Sequence, residues 1–144
     1  MAHKVLLVDD EPVIRELLTN FLTGEGYEVI VASNGGKVVE LALRENPQVI
    51  ILDVNMPKVD GIEVCRRIRE EEKIRLTPVI MMTGLNSHKT AADEAKADDF
   101  VDKPFGLTEL LLRVQSIQRI RNLVDSAERL TTYMNELNKK RLNM

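Results

Sequence analysis

Tryptophan is absent from the 144 residues, cysteine occurs once, and Phe, Tyr and Trp together make up 3%. A lone cysteine, Cys65, closes no internal disulfide, so the fold must be held by packing. Cys65 and the methionines Met56, Met81 and Met82 are read as packing residues, and the isolated His3 and His88 as surface ones. No segment repeats and none is low in complexity. Charge of a single sign is missing too: 20 Lys and Arg face 23 Asp and Glu, interleaved along the chain, for a formal net charge of -3. Such a surface has no field that would concentrate nucleic acid or anionic lipid, so neither kind of binding is expected. No apolar run approaches the roughly 20 residues that span a bilayer. The amino terminus passes from Met1-Ala2-His3-Lys4 straight into a strand-like run, without the regions of a signal peptide. The cytosol is the expected compartment.

What remains is ample for one compact core, with 44% hydrophobic residues in a chain of single-domain length. Val5-Leu6-Leu7-Val8 is a continuous apolar run; after Asp9-Asp10-Glu11 comes Pro12, then Ile14, Leu17, Leu18, Phe21 and Leu22 at helical spacing. Gly24 and Gly26 can end that helix, Tyr27 to Ala32 alternates as a second strand, and Asn34-Gly35-Gly36 turns into a helix reaching about Glu45. Val49-Ile50-Ile51-Leu52 is a strand buried on both faces that delivers Asp53 at its carboxyl end. Turn residues from Asn55-Met56-Pro57 to Asp60-Gly61 lead to a third helix, striped by Ile62, Cys65 and Ile68. Val79-Ile80-Met81-Met82 ends at Thr83 as a fourth strand. Ala91, Ala92, Ala95 and Ala97 mark a weak fourth helix, Phe100-Val101 a short fifth strand, and a fifth helix starts near Leu107.

Five strand-then-helix units of this length imply right-handed crossovers between parallel neighbours. The expected class is α/β, a flavodoxin-like doubly wound five-stranded parallel sheet with the order 2-1-3-4-5 of that fold and helices on both faces. The tail departs from the pattern. Ile120, Leu123, Ala127, Leu130, Met134 and Leu137 follow a heptad seam, which predicts one long helix continuing out of the fifth, either pairing with a second copy or packing on its own domain.

Ligands in open α/β sheets bind at strand carboxyl ends, and that edge gathers Asp9 and Asp10 after the first strand, Asp53 after the third, Thr83 after the fourth and Lys103 after the fifth. Three crowded carboxylates repel one another unless a divalent cation sits among them and an ammonium stands opposite. An oxygen-only cluster suits Mg²⁺, or Mn²⁺. Such a site can carry out phosphoryl chemistry with Asp53 as nucleophile, Asp9 and Asp10 holding metal, Lys103 pairing with the phosphoryl group and Thr83 donating its hydroxyl.

Val8-Asp9-Asp10-Glu11-Pro12, Asp53-Val54-Asn55-Met56-Pro57 with Asp60-Gly61, Met82-Thr83-Gly84 and Phe100-Val101-Asp102-Lys103-Pro104-Phe105 resemble, in order, the signatures of the response regulator receiver domain of two-component signalling, the CheY-like superfamily. The resemblance covers roughly residues 3 to 120. It implies a receiver domain over 1–120 and a helical extension over 121–144, a coiled coil or a linker to an output domain. It implies a phosphohistidine donor on a sensor histidine kinase or a histidine phosphotransfer protein, and a backbone carbonyl of Asn55 given to the metal. It implies a switch in which phosphorylation draws the Thr83 hydroxyl inward and Phe100 turns into the space left, changing the face made by the fourth helix, fifth strand and fifth helix. It implies a signalling domain whose turnover is limited to its own phosphoryl group, while the heptad seam of the tail makes a homodimer through the fifth helix and tail one arrangement. Asn55 and Leu85, flanking the site by this resemblance, are where phosphoryl lifetime would be tuned. The chain departs from the family at Gly84, often alanine, and at Lys96, where a glycine commonly precedes Ala97-Asp98-Asp99.

Blander readings stand beside these. Asp9 and Asp10 suit helix amino-terminal capping ahead of Pro12, Asp53 a turn, Lys103 a solvated lysine, Thr83 a strand end and Phe100 permanent core. A phosphatase of the haloacid dehalogenase type also uses an aspartyl nucleophile and Mg²⁺, but wants two aspartates two residues apart where Asp9 and Asp10 are adjacent. A dimerisation module independent of phosphorylation would make the tail the working part.

Overall fold

The computed structural model describes residues 3–56, 59–84, 96–103, 105–120 and 126–142. Five parallel strands, β1 (His3–Val8), β2 (Tyr27–Ala32), β3 (Val49–Asp53), β4 (Val79–Thr83) and β5 (Asp99–Asp102), form one sheet in the order β2-β1-β3-β4-β5. That is the expected architecture and order. Helices α1 (Pro12–Gly24), α2 (Val38–Glu45), α3 (Gly61–Glu70), α4 (Leu107–Arg119) and α5 (Ser126–Leu142), with a 3₁₀ turn over Gly35–Lys37 ahead of α2, complete the described elements. The fourth helix anticipated over the alanine-rich segment and the lifetime position Leu85 lie outside the described residues, so the helix expected as the fifth is α4 here.

Strand residues alternate between two cores, as the period of two requires. Leu6, Val8, Ile50, Leu52, Val79 and Met81 face α2 and α3, meeting Val38, Ala42, Ile62, Cys65 and Ile68. Val5, Leu7, Val49, Ile51, Ile80 and Met82 face α1 and α4, meeting Leu18, Leu22, Leu110, Val114 and Ile117. Every residue of β3 and β4 is buried, which is why those runs are unbroken by polar residues until Asp53 and Thr83. Cys65 is fully buried and burial pushes its thiol up to about 11, so it packs as a small apolar residue. Among the described residues no helix is long and apolar enough to cross a membrane.

A polar clamp fixes where β5 begins. Arg69 near the end of α3 pairs with buried Asp98 at 2.7 Å and donates to the backbone oxygens of Arg75, Thr77 and Lys96. Asp98 in turn accepts from the Val79 N–H at the start of β4, at 2.8 Å. Within this turn Lys96 has φ 65, the left-handed region. Its departure from glycine is therefore a real conformational cost, met by a chain that is tied down on both sides.

The tail overturns one expectation. α4 ends at Arg119, and α5 lies back against α4 and β5 instead of continuing the helix. A straight continuation at 1.5 Å per residue would carry Tyr133 roughly 20 Å past the end of α4, yet its phenol donates to Asp99 at the start of β5. Asp99 also pairs with Arg113 of α4 at 2.5 Å, Glu136 pairs with Arg119, and Lys140 reaches the Ser116 hydroxyl at 2.7 Å. Tyr133 and Leu137 join the core of the α1–α4 face, while Leu130 and Met134 of the anticipated seam are 44% and 47% exposed. The physical reason is that burial against the parent domain combined with a charge-assisted phenol bond outcompetes a seam of a few apolar residues on a lone helix.

Left-handed backbone costs an L-residue about 1–2 kcal/mol, partly offset by the larger unfolded-state entropy of glycine, about 0.5–1 kcal/mol. Lys96→Gly is accordingly expected to raise unfolding stability by about 0.5 kcal/mol in urea titration; a loss would show that the Lys96 side chain makes a stabilising contact. A hydrogen bond to a charged partner contributes about 1.5–3 kcal/mol, so Tyr133→Phe should speed amide exchange over Thr132–Leu137 by tenfold or more while leaving α1 to α3 unchanged. Unaltered exchange there would mean the phenol does not hold the tail.

Candidate functional site

The site is assembled by strand endings. β1 and β3 are neighbours in register, Val8 beside Leu52, so the residues that follow them, Asp9 and Asp53, emerge side by side at one edge of the sheet. β5 ends at Asp102, and the next residue, Lys103, is tied to β4 by its N–H donating to the Thr83 carbonyl at 2.6 Å. Asp9, Asp10 and Asp53 each offer a carboxylate oxygen within 4.8 Å of the others. Lys103 Nζ lies 3.2 Å from Asp9 Oδ2, 3.4 Å from Asp53 Oδ2 and 3.8 Å from Glu11 Oε1. Of the five residues picked out at strand ends, Asp9, Asp10, Asp53 and Lys103 lie together.

Local geometry accounts for each position. Asp9 accepts from the Glu11 N–H at 2.8 Å, and its own carbonyl accepts from Arg15 at 2.9 Å. The cap position of α1 is Glu11, with no side-chain capping bond, so neither Asp9 nor Asp10 serves as the helix cap. Asp53 accepts from the Asn55 N–H at 3.2 Å, which orients one carboxylate oxygen and leaves the other toward Lys103. Gly61, expected as turn chemistry, has a stricter role: a Cβ there would stand 2.3 Å from the Asp53 carbonyl oxygen. α3 therefore starts hard against the backbone of the site, capped by Asp60, which accepts from the Glu63 N–H at 2.9 Å. At Gly84, a Cβ would stand 3.2 Å from Asn55 Nδ2, so the glycine leaves that side chain room.

Electrostatics follows from burial. Asp9 is fully buried and Asp53 is 2% exposed. Burial raises the Asp53 carboxyl to about 6, the Asp9 charge pushes the same way, and Lys103 and the Asn55 N–H oppose both without cancelling them. For Lys103, burial favours losing the proton, but the Asp53 and Asp9 carboxylates prevail and hold the ammonium above its ordinary range. An all-oxygen cluster in which one carboxyl cannot ionise freely is a donor set that fits a hard divalent cation.

Two predicted site residues are placed differently. The Thr83 hydroxyl is buried and donates to Asp102 Oδ1 at 2.5 Å, with the Val101 carbonyl at 3.4 Å. Phe100 is half-buried against the core of the α2–α3 face. An apolar hollow lined by Ile14, Leu17, Leu18, Phe105 and Leu107 opens beside Lys103. Sequence reading missed it because its lining comes from α1 and the residues after β5, far apart in the chain.

The model of the response regulator receiver domain matches residues 5–115. The transcriptional regulatory protein SrrA of Staphylococcus aureus is 40% identical over 121 residues, 83% of this chain and 49% of SrrA, so the chain spans about half the length of that relative. Among solved structures, the chemotaxis protein CheY4 of Vibrio cholerae is 34% identical with a TM-score of 0.75, over 80% of this chain and 98% of that one. The receiver domain of a sensor histidine kinase from Pseudomonas aeruginosa PAO1, with a magnesium ion coordinated in its active site cleft, is 31% identical with a TM-score of 0.75, over 80% of this chain and 96% of that one. Family match, sheet order and the acidic edge agree: the chain belongs to the response regulator receiver domains, the phosphoacceptor modules of two-component signalling.

Proposed function

We propose that Asp53 is the phosphoacceptor, that Asp9, Asp10, Asp53 and the Asn55 carbonyl hold Mg²⁺ or Mn²⁺, and that Lys103 and Thr83 bind the phosphoryl oxygens. The observation that carries this is the Lys103 ammonium, 3.2 Å from Asp9 and 3.4 Å from Asp53, in the same edge cluster as Asp10. An Asp53 oxygen attacks phosphorus while the P–N bond to a donor imidazole breaks, the ring leaving as neutral imidazole once protonated. Lys103 neutralises phosphoryl charge as it forms contacts with the incoming group. When bound, the divalent cation supplies charge neutralisation among the carboxylates and the phosphoryl oxygens. Hydrolysis is the reverse in kind: water attacks phosphorus, the O–P bond breaks, and Asp53 returns with release of inorganic phosphate. Turnover is thus confined to the domain's own phosphoryl group, and no released substrate is proposed.

The donor is a phosphohistidine on a sensor kinase or phosphotransfer protein. The apolar hollow beside Lys103, with Leu17 48% and Val13 75% exposed on α1, supports a protein donor over a small one alone. Output runs through Thr83 and Phe100: recruitment of the hydroxyl toward the phosphoryl group lets the half-buried Phe100 ring move. The division into a receiver over 1–120 and a helical extension over 121–144 is supported by the family match ending at 115. A homodimer through α4 and α5 has weaker support, since Tyr133 and Leu137 are engaged with their own domain and Leu130 and Met134 leave a narrow apolar strip.

Incubation with acetyl phosphate and Mg²⁺ should add one phosphoryl mass to the intact chain. Asp53→Asn and EDTA should each abolish the adduct, and Lys103→Met should lower its initial rate by tenfold or more. An adduct that persists in Asp53→Asn, or none in the wild type under any donor, would overturn the assignment.

A further inference from the structure

Thr83 and Asp102 occupy the last rung of the β4–β5 ladder, paired in register at the edge where the site lies. The Thr83 hydroxyl carries one proton and donates it to Asp102 Oδ1 at 2.5 Å, a charge-assisted bond from a fully buried donor to a carboxylate at an exposed position. Phe100 and Asp102 share a strand face by the period of two, so the hydroxyl is held on the Phe100 side. The residue after Asp102 is Lys103, whose N–H is bound to the Thr83 carbonyl at 2.6 Å. A hydroxyl with one proton cannot donate to Asp102 and to a phosphoryl oxygen together. Any event that recruits Thr83 must therefore break the bond to Asp102.

We infer that Asp102 is a positioning residue that holds the Thr83 hydroxyl away from the phosphoryl site and so sets how readily the domain enters its phosphorylated state. This inference rests on the proposed roles of Asp53 and Thr83. Asp102 touches neither phosphorus nor metal in this scheme and acts wholly through Thr83. Its carboxylate lowers the fraction of molecules with a competent hydroxyl, which weakens apparent phosphoryl binding by that fraction.

The test is a double-mutant cycle read with beryllofluoride, a phosphoryl analogue, in saturating Mg²⁺, following amide shifts of the full chain. Asp102→Ala should bind beryllofluoride about tenfold more tightly than wild type, with Asp102→Asn in between. In a Thr83→Ala background, Asp102→Ala should change affinity by less than about twofold. A tightening that persists undiminished without the Thr83 hydroxyl would show Asp102 acting as a bulk negative charge near an anion, and would overturn the inference. So would no effect of Asp102→Ala in the wild-type background. Acetyl phosphate adducts on Asp53, measured by mass on the same proteins, separate the two levels. If wild type forms no Asp53 adduct, the underlying assignment fails. If it does and the cycle shows no coupling, the Asp102 role alone fails.

Discussion

Asp9, Asp10 and Asp53 share a space of 4.8 Å with the Lys103 ammonium beside two of them, and the rest of the molecule is arranged around that imbalance. Burial first and the Asp9 charge second push the Asp53 carboxyl up to about 6, while the two carboxylates hold Lys103 protonated. The strain is electrostatic and reversible. In the proposed function a divalent cation would relieve it, and a phosphoryl group would add negative charge facing the cation and the lysine. A site that merely capped a helix would need none of this, and the cap of α1 is in fact Glu11 without a side-chain bond.

The fold supplies the rigidity that such crowding demands. Two cores clamp the sheet from opposite faces, and the register of β1 on β3 fixes Asp9 against Asp53 without a flexible loop between them. Gly61 lets α3 start within contact of the Asp53 backbone, where any side chain would displace that residue. On the other side of β4, the same sheet edge carries Thr83 bound to Asp102, Phe100 half-buried, and Asp99 bridging the Phe100 N–H at 2.8 Å to Arg113 and the tail phenol of Tyr133. Polar contacts at the two ends of β5 thus tie it to β4 through Asp102 and to α4 and α5 through Asp99.

The sheet and the four convergent residues were legible in the sequence because both depend on local pattern. An aliphatic run that ends in Asp53 or Thr83 states its own length, its burial and the edge at which its polar residue will stand. Lys96 was legible as a misfit, and its φ of 65 gives the reason. The tail was not legible. The Tyr133 bond to Asp99 spans 34 residues and the Arg113 bond to Asp99 spans 14, and no periodicity announces a polar contact of that range. The heptad spacing was a true amphipathic signal that fits a helix on a partner and a helix folded home equally well. Thr83 was legible as a hydroxyl at a strand end, but its bond to Asp102 depends on the cross-strand register, which no local pattern carries.

The most direct measurement of the central claim is the Mg²⁺ affinity of the wild-type chain by calorimetry from pH 5 to pH 8. With its carboxyl raised to about 6, Asp53 would have to ionise to serve as the proposed metal ligand. Affinity should be nearly level above pH 7 and weaken by about tenfold per pH unit below pH 6, with about one proton released per ion at the low end. Asp53→Asn should lose that pH dependence. Binding that ignores pH across this window, or no saturable binding at millimolar Mg²⁺, would contradict a pocket organised by the charge imbalance of Asp9, Asp10, Asp53 and Lys103.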